Sequence, residues 1–327
     1  MKQILLTIAL AVLAPFAYAQ VAETITTATA ESRGTMTITN GNDSPRTVAS
    51  RYDFNGDGYP DFVLIKPIRG GSPLVDLPPI KNVIWYLRDN LRCGPPTCNP
   101  STRFGPEFES KWALIDEADF NHDGHPDFVL FDPETLETKI LYMRGGDRVG
   151  SRPGPRIPNG WRLQKVGDFN GDAWPDYVLT NGSPTYRTAI WYMHDNQEIP
   201  QGRGPGPTLI LGWDLVAVAD FDSDGIDDYV LFRTSNSQGG PTKIWYIRNR
   251  QHVEANGPTI VAGWRLRGAA DFNKDGHPDY LLVSTSGART AIWYLDNNQF
   301  IPPPYSRFGP DIPSNNGWLY WLPSGWP

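Results

Sequence analysis

Cysteine is almost missing from this chain. Its 327 residues hold only Cys93 and Cys98, in the stretch Arg92-Cys93-Gly94-Pro95-Pro96-Thr97-Cys98. That excludes a disulfide framework, and a zinc-type centre would need two further soft ligands, none of which is spaced for it. A local disulfide is the expected state of the pair, and closing so short a loop does little for the fold as a whole. Long apolar runs are scarce too. Past the first nineteen residues, none is long enough to cross a membrane as a helix. No segment keeps a helical period, and 32 Gly and 31 Pro interrupt the chain too often for helices longer than a turn or two. There is no basic stripe, and the net charge of −7 gives no warrant for a nucleic-acid partner. Neither H-E-x-x-H nor G-x-S-x-G occurs, and no pair of carboxylates stands out for glycoside hydrolysis, so no catalytic residue is identified.

What the chain has instead is one acidic loop written five times: DFNGDGYPD from Asp53, DFNHDGHPD from Asp119, DFNGDAWPD from Asp168, DFDSDGIDD from Asp220 and DFNKDGHPD from Asp271. Oxygen side chains recur at positions 1, 3, 5 and 9. Hard cations such as Ca²⁺ take six to eight oxygen ligands, and alternate carboxylates on a tight loop supply most of them. Gly at position 6 permits the sharp turn, after which the carbonyl of residue 7 can face the same centre. The loops are not EF-hands. Position 12 is Leu64, Leu130, Leu179, Leu231 or Leu282 where an EF-hand has Glu, and runs such as Phe62-Val63-Leu64 and Tyr229-Val230-Leu231 favour strand over helix. The sixteen aspartates at ligand positions concentrate the chain's acidity where ions would sit, and five divalent cations would more than offset the net charge.

The loop belongs to a larger unit. Loop starts are 66, 49, 52 and 51 residues apart. A tryptophan precedes the loop (Trp112, Gly160-Trp161, Gly212-Trp213, Gly263-Trp264). An aromatic strand follows it, as in Ile84-Trp85-Tyr86, Ile190-Trp191-Tyr192, Ile244-Trp245-Tyr246 and Ile292-Trp293-Tyr294, and then a Gly-Pro pair. Four short strands in about 50 residues fit a β-propeller blade. The expected fold is all-β, a propeller of about five four-stranded blades. Gly317-Trp318-Leu319 opens a further unit without a loop and is read as the strand that completes the first blade, closing the ring from the C-terminus. Nine of the twelve tryptophans fall at repeated positions and read as blade core, leaving Trp174, Trp321 and Trp326 as candidates for surface roles.

At the N-terminus, an apolar run from Ile4 to Leu13 before Ala17-Tyr18-Ala19 reads as a secretory signal over 1–19, cleaved after Ala19. Residues 20–46 are Thr- and Ala-rich and read as a leader or linker, and 47–327 as the propeller. The mature protein is expected to be secreted or periplasmic and monomeric.

The D-F-N-x-D-G-x-P-D core, followed by a strand and flanked by Ile-Trp-Tyr and Gly-Trp, resembles the FG-GAP/VCBS repeats of integrin α-subunit propellers and many exported bacterial proteins, over roughly residues 47–322. The resemblance implies up to five Ca²⁺. The first would be held by Asp53, Asn55, Asp57, the Tyr59 carbonyl and Asp61, and the second by Asp119, Asn121, Asp123, the His125 carbonyl and Asp127. The third would use Asp168, Asn170, Asp172, the Trp174 carbonyl and Asp176, and the fourth Asp220, Asp222, Asp224, the Ile226 carbonyl and Asp228. The fifth would use Asp271, Asn273, Asp275, the His277 carbonyl and Asp279. Ala173 stands where the pattern has Gly, which makes the third site the expected weakest. The extra carboxylate of Asp222 makes the fourth the expected tightest. The family's members are usually seven-bladed, whereas five motifs give five blades. Its implied role is a binding or adhesion module for carbohydrate or an extracellular protein, acting on the face opposite the Ca²⁺ loops. Two other readings stay open: an exported polysaccharide-active enzyme on a propeller scaffold, and a purely structural surface protein.

Overall fold

The computed structural model describes residues 52–66, 79–88, 91–92, 102–182, 185–233, 239–286, 289–302 and 307–311, together with the backbone of 25–27, 37–38 and 46–47. Among the described residues the structure is all strand and turn, with no helix long and apolar enough to cross a membrane. Five four-stranded antiparallel sheets form the blades of a ring. In blade 2 the strands run outward in chain order: Ala113–Ala118, Asp127–Phe131, Thr138–Arg144 and Asp147–Pro153. Blades 3, 4 and 5 repeat the order from Arg162–Gly167, Asp214–Ala219 and Trp264–Ala270.

Blade 1 departs from the expected closure. Its innermost strand is Ile25–Thr27, paired antiparallel with Phe62–Lys66 and lying beside the innermost strand of blade 5. The place assigned to the C-terminal segment is therefore filled from the N-terminal side. The physical reason is that the sheet offers a single inner edge, and once Ile25–Thr27 has paired with it no ladder remains for a second strand. Gly317-Trp318-Leu319, the cysteines, Trp321, Trp326 and the signal segment lie outside the described residues.

The second strand of each blade explains its run of apolar residues. Asp127–Phe131 and Asp228–Phe232 are buried along their whole length, because a blade packs against a neighbour on both faces. Five apolar clusters fill the five blade junctions, and one joins Phe62 and Leu64 of blade 1 to Phe272 and Leu281 of blade 5. At each junction the Phe at loop position 2 meets, edge to face, the aromatic that follows the next loop. The pairs are Phe54–Phe128, Phe120–Tyr177, Phe169–Tyr229, Phe221–Tyr280 and, across the closure, Phe272–Phe62, with centroids 5.5–6.3 Å apart. Such pairs add about 0.5–1.5 kcal/mol each beyond the area they bury.

Two further repeated contacts account for other motif residues. The Tyr of the aromatic strand reaches the outer hairpin of the next blade: Tyr86 Oη donates to the Gly145 carbonyl at 2.9 Å, Tyr142 Oη donates to Asp195, and the Arg250 guanidinium lies 3.7 Å over the Tyr192 ring. The Gly-Pro pair is tied to the Thr that opens the third strand. Thr138, Thr188, Thr242 and Thr290 donate Oγ1 to the carbonyls of Pro155, Pro207, Pro258 and Pro310 at 2.6–2.9 Å. A Cβ at Gly154 or Gly257 would sit 2.4 Å from that Oγ1, so only glycine fits.

Candidate metal-binding loops

Each loop joins the innermost strand of a blade to the second, or in blade 1 simply enters the second, and each folds around its own carboxylates. The Asp at position 1 gathers backbone N–H groups from the turn. Asp220 accepts from Asp224 at 3.1 Å and Gly225 at 2.8 Å, and Asp271 accepts from Asp275 at 3.1 Å and Gly276 at 2.8 Å. Asn at position 3 accepts from the N–H of position 5, at 2.9 Å in the loops of Asn55, Asn121, Asn170 and Asn273. The Asp at position 5 accepts from the N–H of position 7: Asp57 from Tyr59, Asp123 from His125, Asp172 from Trp174, Asp224 from Ile226 and Asp275 from His277. Oxygen side chains at 1, 3 and 5 thus all bond back into one turn, and in the fourth loop carboxylate oxygens of Asp220, Asp222 and Asp224 lie within 4.8 Å of one another.

Position 9 has a second task that the motif does not announce. Its carboxylate is buried and clamps the loop to two backbone sites. Asp127 accepts from the Phe120 N–H at 3.0 Å and the Met143 N–H at 2.9 Å, and Asp176 from Phe169 at 2.9 Å and Met193 at 2.8 Å. Asp61, Asp228 and Asp279 do the same with Phe54 and Leu87, Phe221 and Ile247, and Phe272 and Leu295. Position 9 therefore fixes the third strand of the blade to the loop. This bond lies 16 or more residues away in sequence, which is why the motif alone does not reveal it.

The backbone is left-handed at two positions per loop. Position 6 has φ of +83° at Gly58, +89° at Gly124, +87° at Gly225 and +94° at Gly276, and Ala173 adopts +70° in their place. Position 4 is left-handed as well, at Gly56, His122, Gly171, Ser223 and Lys274. The side-chain variety there conceals the requirement from sequence reading.

Burial raises the carboxylate pKa values in the loops. Desolvation pushes Asp119 and Asp220 up to about 6 and Asp168 to about 7, with the neighbouring aspartates adding to the rise and backbone N–H donors opposing it. At position 9 desolvation pushes Asp127, Asp176 and Asp228 up to about 9, and Asp61 and Asp279 well upward. A divalent cation reverses that local logic by stabilising the charged form. The residues fit such an ion. The donors are all oxygen, and Asp57 Oδ2 and Asp222 Oδ1 are buried without a hydrogen-bond partner.

The loops are not equivalent. In the fourth, Arg248 Nη2 contacts Asp222 Oδ2 at 2.6 Å and Asp224 Oδ2 at 3.1 Å, so a cationic side chain already competes for the extra carboxylate. In the second, Arg144 stands 3.6 Å from Asp123. In the third, Trp174 is sandwiched between His122, stacked at 3.7 Å, and His194 at 4.0 Å. Both faces of that candidate surface tryptophan are thereby covered. Of the repeated tryptophans, Trp85, Trp112, Trp191, Trp213 and Trp245 are buried, whereas Trp161, Trp264 and Trp293 are half-buried.

Fold and loops together define a five-bladed β-propeller whose inner strand pairs carry acidic turns. Residues 168–231, spanning the third and fourth loops and the blade between them, match the FG-GAP-like repeat family. The FG-GAP-like repeat expected from the sequence is present, and the same hydrogen-bond pattern recurs in the other loops. No curated protein matches the chain. Among solved structures, the chain is similar to a protein of unknown function from Bacteroides caccae at 12% identity, covering 73% of this chain and 71% of that one with a TM-score of 0.39.

Proposed function

We propose that this protein is an exported, calcium-stabilised propeller that serves as a binding or adhesion module for carbohydrate or an extracellular protein. The observation that carries the calcium reading is the acidic turn repeated five times, its position 1 carboxylate oriented by turn N–H groups in every loop, with carboxylate oxygens of Asp220, Asp222 and Asp224 within 4.8 Å of one another in the fourth. Pre-positioned carboxylates repel one another, by roughly 1–4 kcal/mol per pair depending on the effective dielectric, and an ion removes that cost. Calcium would be held by the residues at positions 1, 3, 5 and 9 and by the carbonyl of position 7, and its role is to stiffen the turn between two strands. The Asp53 loop and its four counterparts would each take one ion.

Export is supported by the apolar segment and Ala17-Tyr18-Ala19 at the N-terminus. The binding role is supported by the FG-GAP-like repeat, whose propellers often act as binding modules, and by the absence of any recognisable nucleophile arrangement in the sequence. The test is a glycan array and a pull-down from extracellular protein with the Ca²⁺-supplied mature chain. Saturable capture is expected. Failure of both screens, with the protein shown to be folded, would contradict the reading.

A further inference from the structure

The blades are built on one plan, so a place where one blade omits a residue that its siblings use is informative. In blade 2, Lys139 Nζ lies 4.2 Å over the Trp112 ring, and in blade 4 Lys243 Nζ lies 5.3 Å over the Trp213 ring. Both lysines directly follow the Thr that opens the third strand. In blade 5 the corresponding Ala291 leaves Trp264 to pack on Phe308, with centroids 6.1 Å apart. Blade 3 has neither device. Its Thr188 is followed by Ala189, too short to cover Trp161, and no ring or cation packs on Trp161 among the described residues. The result is an open cleft of about 530 Å³, lined by Trp161 and Ala189 at its floor and by Arg187 and Arg203 at its rim.

The two arginines are presented differently. Arg203 is fixed: its guanidinium lies 3.9 Å over the Trp191 ring and its Nε donates to Glu198 Oε2 at 2.6 Å, with half of the side chain still in solvent. The Arg187 guanidinium is exposed and has no partner among the described residues. Guanidinium forks pair with planar oxyanions, carboxylate above all, while a bare indole face suits the apolar face of a sugar ring. A peptide strand is disfavoured here. The cleft's outer wall is the edge strand Gln197–Thr208, in which Pro205 and Pro207 offer no N–H to an added strand.

We propose that the blade 3 cleft binds an acidic oligosaccharide, one uronic acid ring stacking on Trp161 with its carboxylate paired to Arg187 and Arg203. This site rests on the carbohydrate branch of the binding role proposed above and gives it a place. Calorimetric titration of the full mature chain in Ca²⁺ with hexagalacturonate, against neutral cellohexaose, tests it. The acidic ligand is expected to bind at least about tenfold more tightly, the scale of a lost charged hydrogen bond. Ala189→Lys, which restores the lysine of blades 2 and 4, is expected to weaken it by a similar factor with the melting temperature unchanged. Arg187→Ala, an exposed change, is the second variant and should lower affinity for the acidic ligand alone. Equal binding of the two ligands, no binding of hexagalacturonate, or unaltered binding by both variants would overturn the proposal. Capture of another glycan or a protein that is indifferent to Ala189→Lys would overturn the cleft while leaving the wider binding role standing. Silence in titration, array and pull-down alike would remove both.

Discussion

Consider Asp176→Ala, measured in chelator so that no metal contributes. The wild-type carboxylate accepts the Phe169 N–H at 2.9 Å and the Met193 N–H at 2.8 Å, and both bonds are buried. Truncation leaves two buried donors unsatisfied at about 1–3 kcal/mol each, so the variant should lose about 2–6 kcal/mol. At roughly 2.1 cal/mol/K of unfolding entropy per residue, each kcal/mol moves the melting temperature of a chain of this size by roughly 1.5 °C, so a fall of roughly 3–9 °C is expected. Asp172→Ala is the control. Asp172 is exposed and, among the described residues, receives bonds only from the Trp174 N–H and Asn170 within the same turn, so its loss in chelator should stay within about 1 kcal/mol, the scale of a single exposed interaction. With Ca²⁺ added, both variants should lose part of the metal-dependent stabilisation. Scanning calorimetry of the three proteins in both conditions separates the roles. If Asp176→Ala melted within 2 °C of wild type in chelator, the position 9 clamp would be refuted as a structural element.

Three further outcomes follow from the loop geometry. Ala173→Gly removes a left-handed alanine at φ +70° and should stabilise the protein by about 1 kcal/mol, read as a rise in melting temperature, while tightening the third ion site. Arg248→Ala frees Asp222 and Asp224 and should raise Ca²⁺ affinity at the fourth loop in a metal titration while costing at most about 1 kcal/mol of stability, since the pair is exposed. The pH dependence has a definite sign. Asp119 and Asp220 are raised from 3.8 to about 6 and Asp168 to about 7, so in chelator their contribution is fully present below pH 3.8 and is lost as pH rises to about 6–7. Ca²⁺ competes with those protons. The rise in melting temperature on adding Ca²⁺ should therefore be larger at pH 8 than at pH 5, and equal rises at the two pH values would contradict the titration of these groups.

Much of the fold is legible in the chain because the repeat states it five times. Runs such as Phe128-Val129-Leu130 become the doubly buried second strands, and the Phe of each loop and the aromatic after it become the edge-to-face pairs at the blade junctions. What stays hidden is what the repeat does not contain. Ile25–Thr27 supplies the closing strand from a Thr-rich stretch too short to show a period of two. Tyr52, in blade 1, stands where the other blades have Ala118, Gly167, Ala219 and Ala270. Its Oη donates to Asp116 Oδ1 at 2.6 Å, from a backbone at φ +73°, so it stitches blade 1 to blade 2 by a route no motif describes.

The innermost strands carry another hidden feature. Each of blades 2 to 5 has a register shift four residues before its loop, at Ile115, Gln164, Val216 and Arg267. Such bulges sharpen strand twist and re-aim one side chain. Gln164 uses its displaced position to donate Nε2 to the Leu215 carbonyl of the next blade at 3.2 Å. The residues at these four places share no chemistry, so a sequence pattern cannot mark them. Arg248, at the end of the third strand of blade 4, has Arg144 as its counterpart in blade 2, and Ala189 of blade 3 has Ala291 in blade 5. Each pair shares one letter in the sequence, and what each residue does appears only when the blades are compared in space.

The most direct test of the calcium-stabilised propeller is a metal count on the mature protein after dialysis against Ca²⁺, read together with its melting temperature in Ca²⁺ and in chelator. Ions that bind only the folded state stabilise it by mass action, by several kcal/mol when several sites are well saturated. The account predicts close to five Ca²⁺ per chain and a melting temperature several degrees or more higher in Ca²⁺. A chain that retains no ion and melts at the same temperature in both conditions would contradict it.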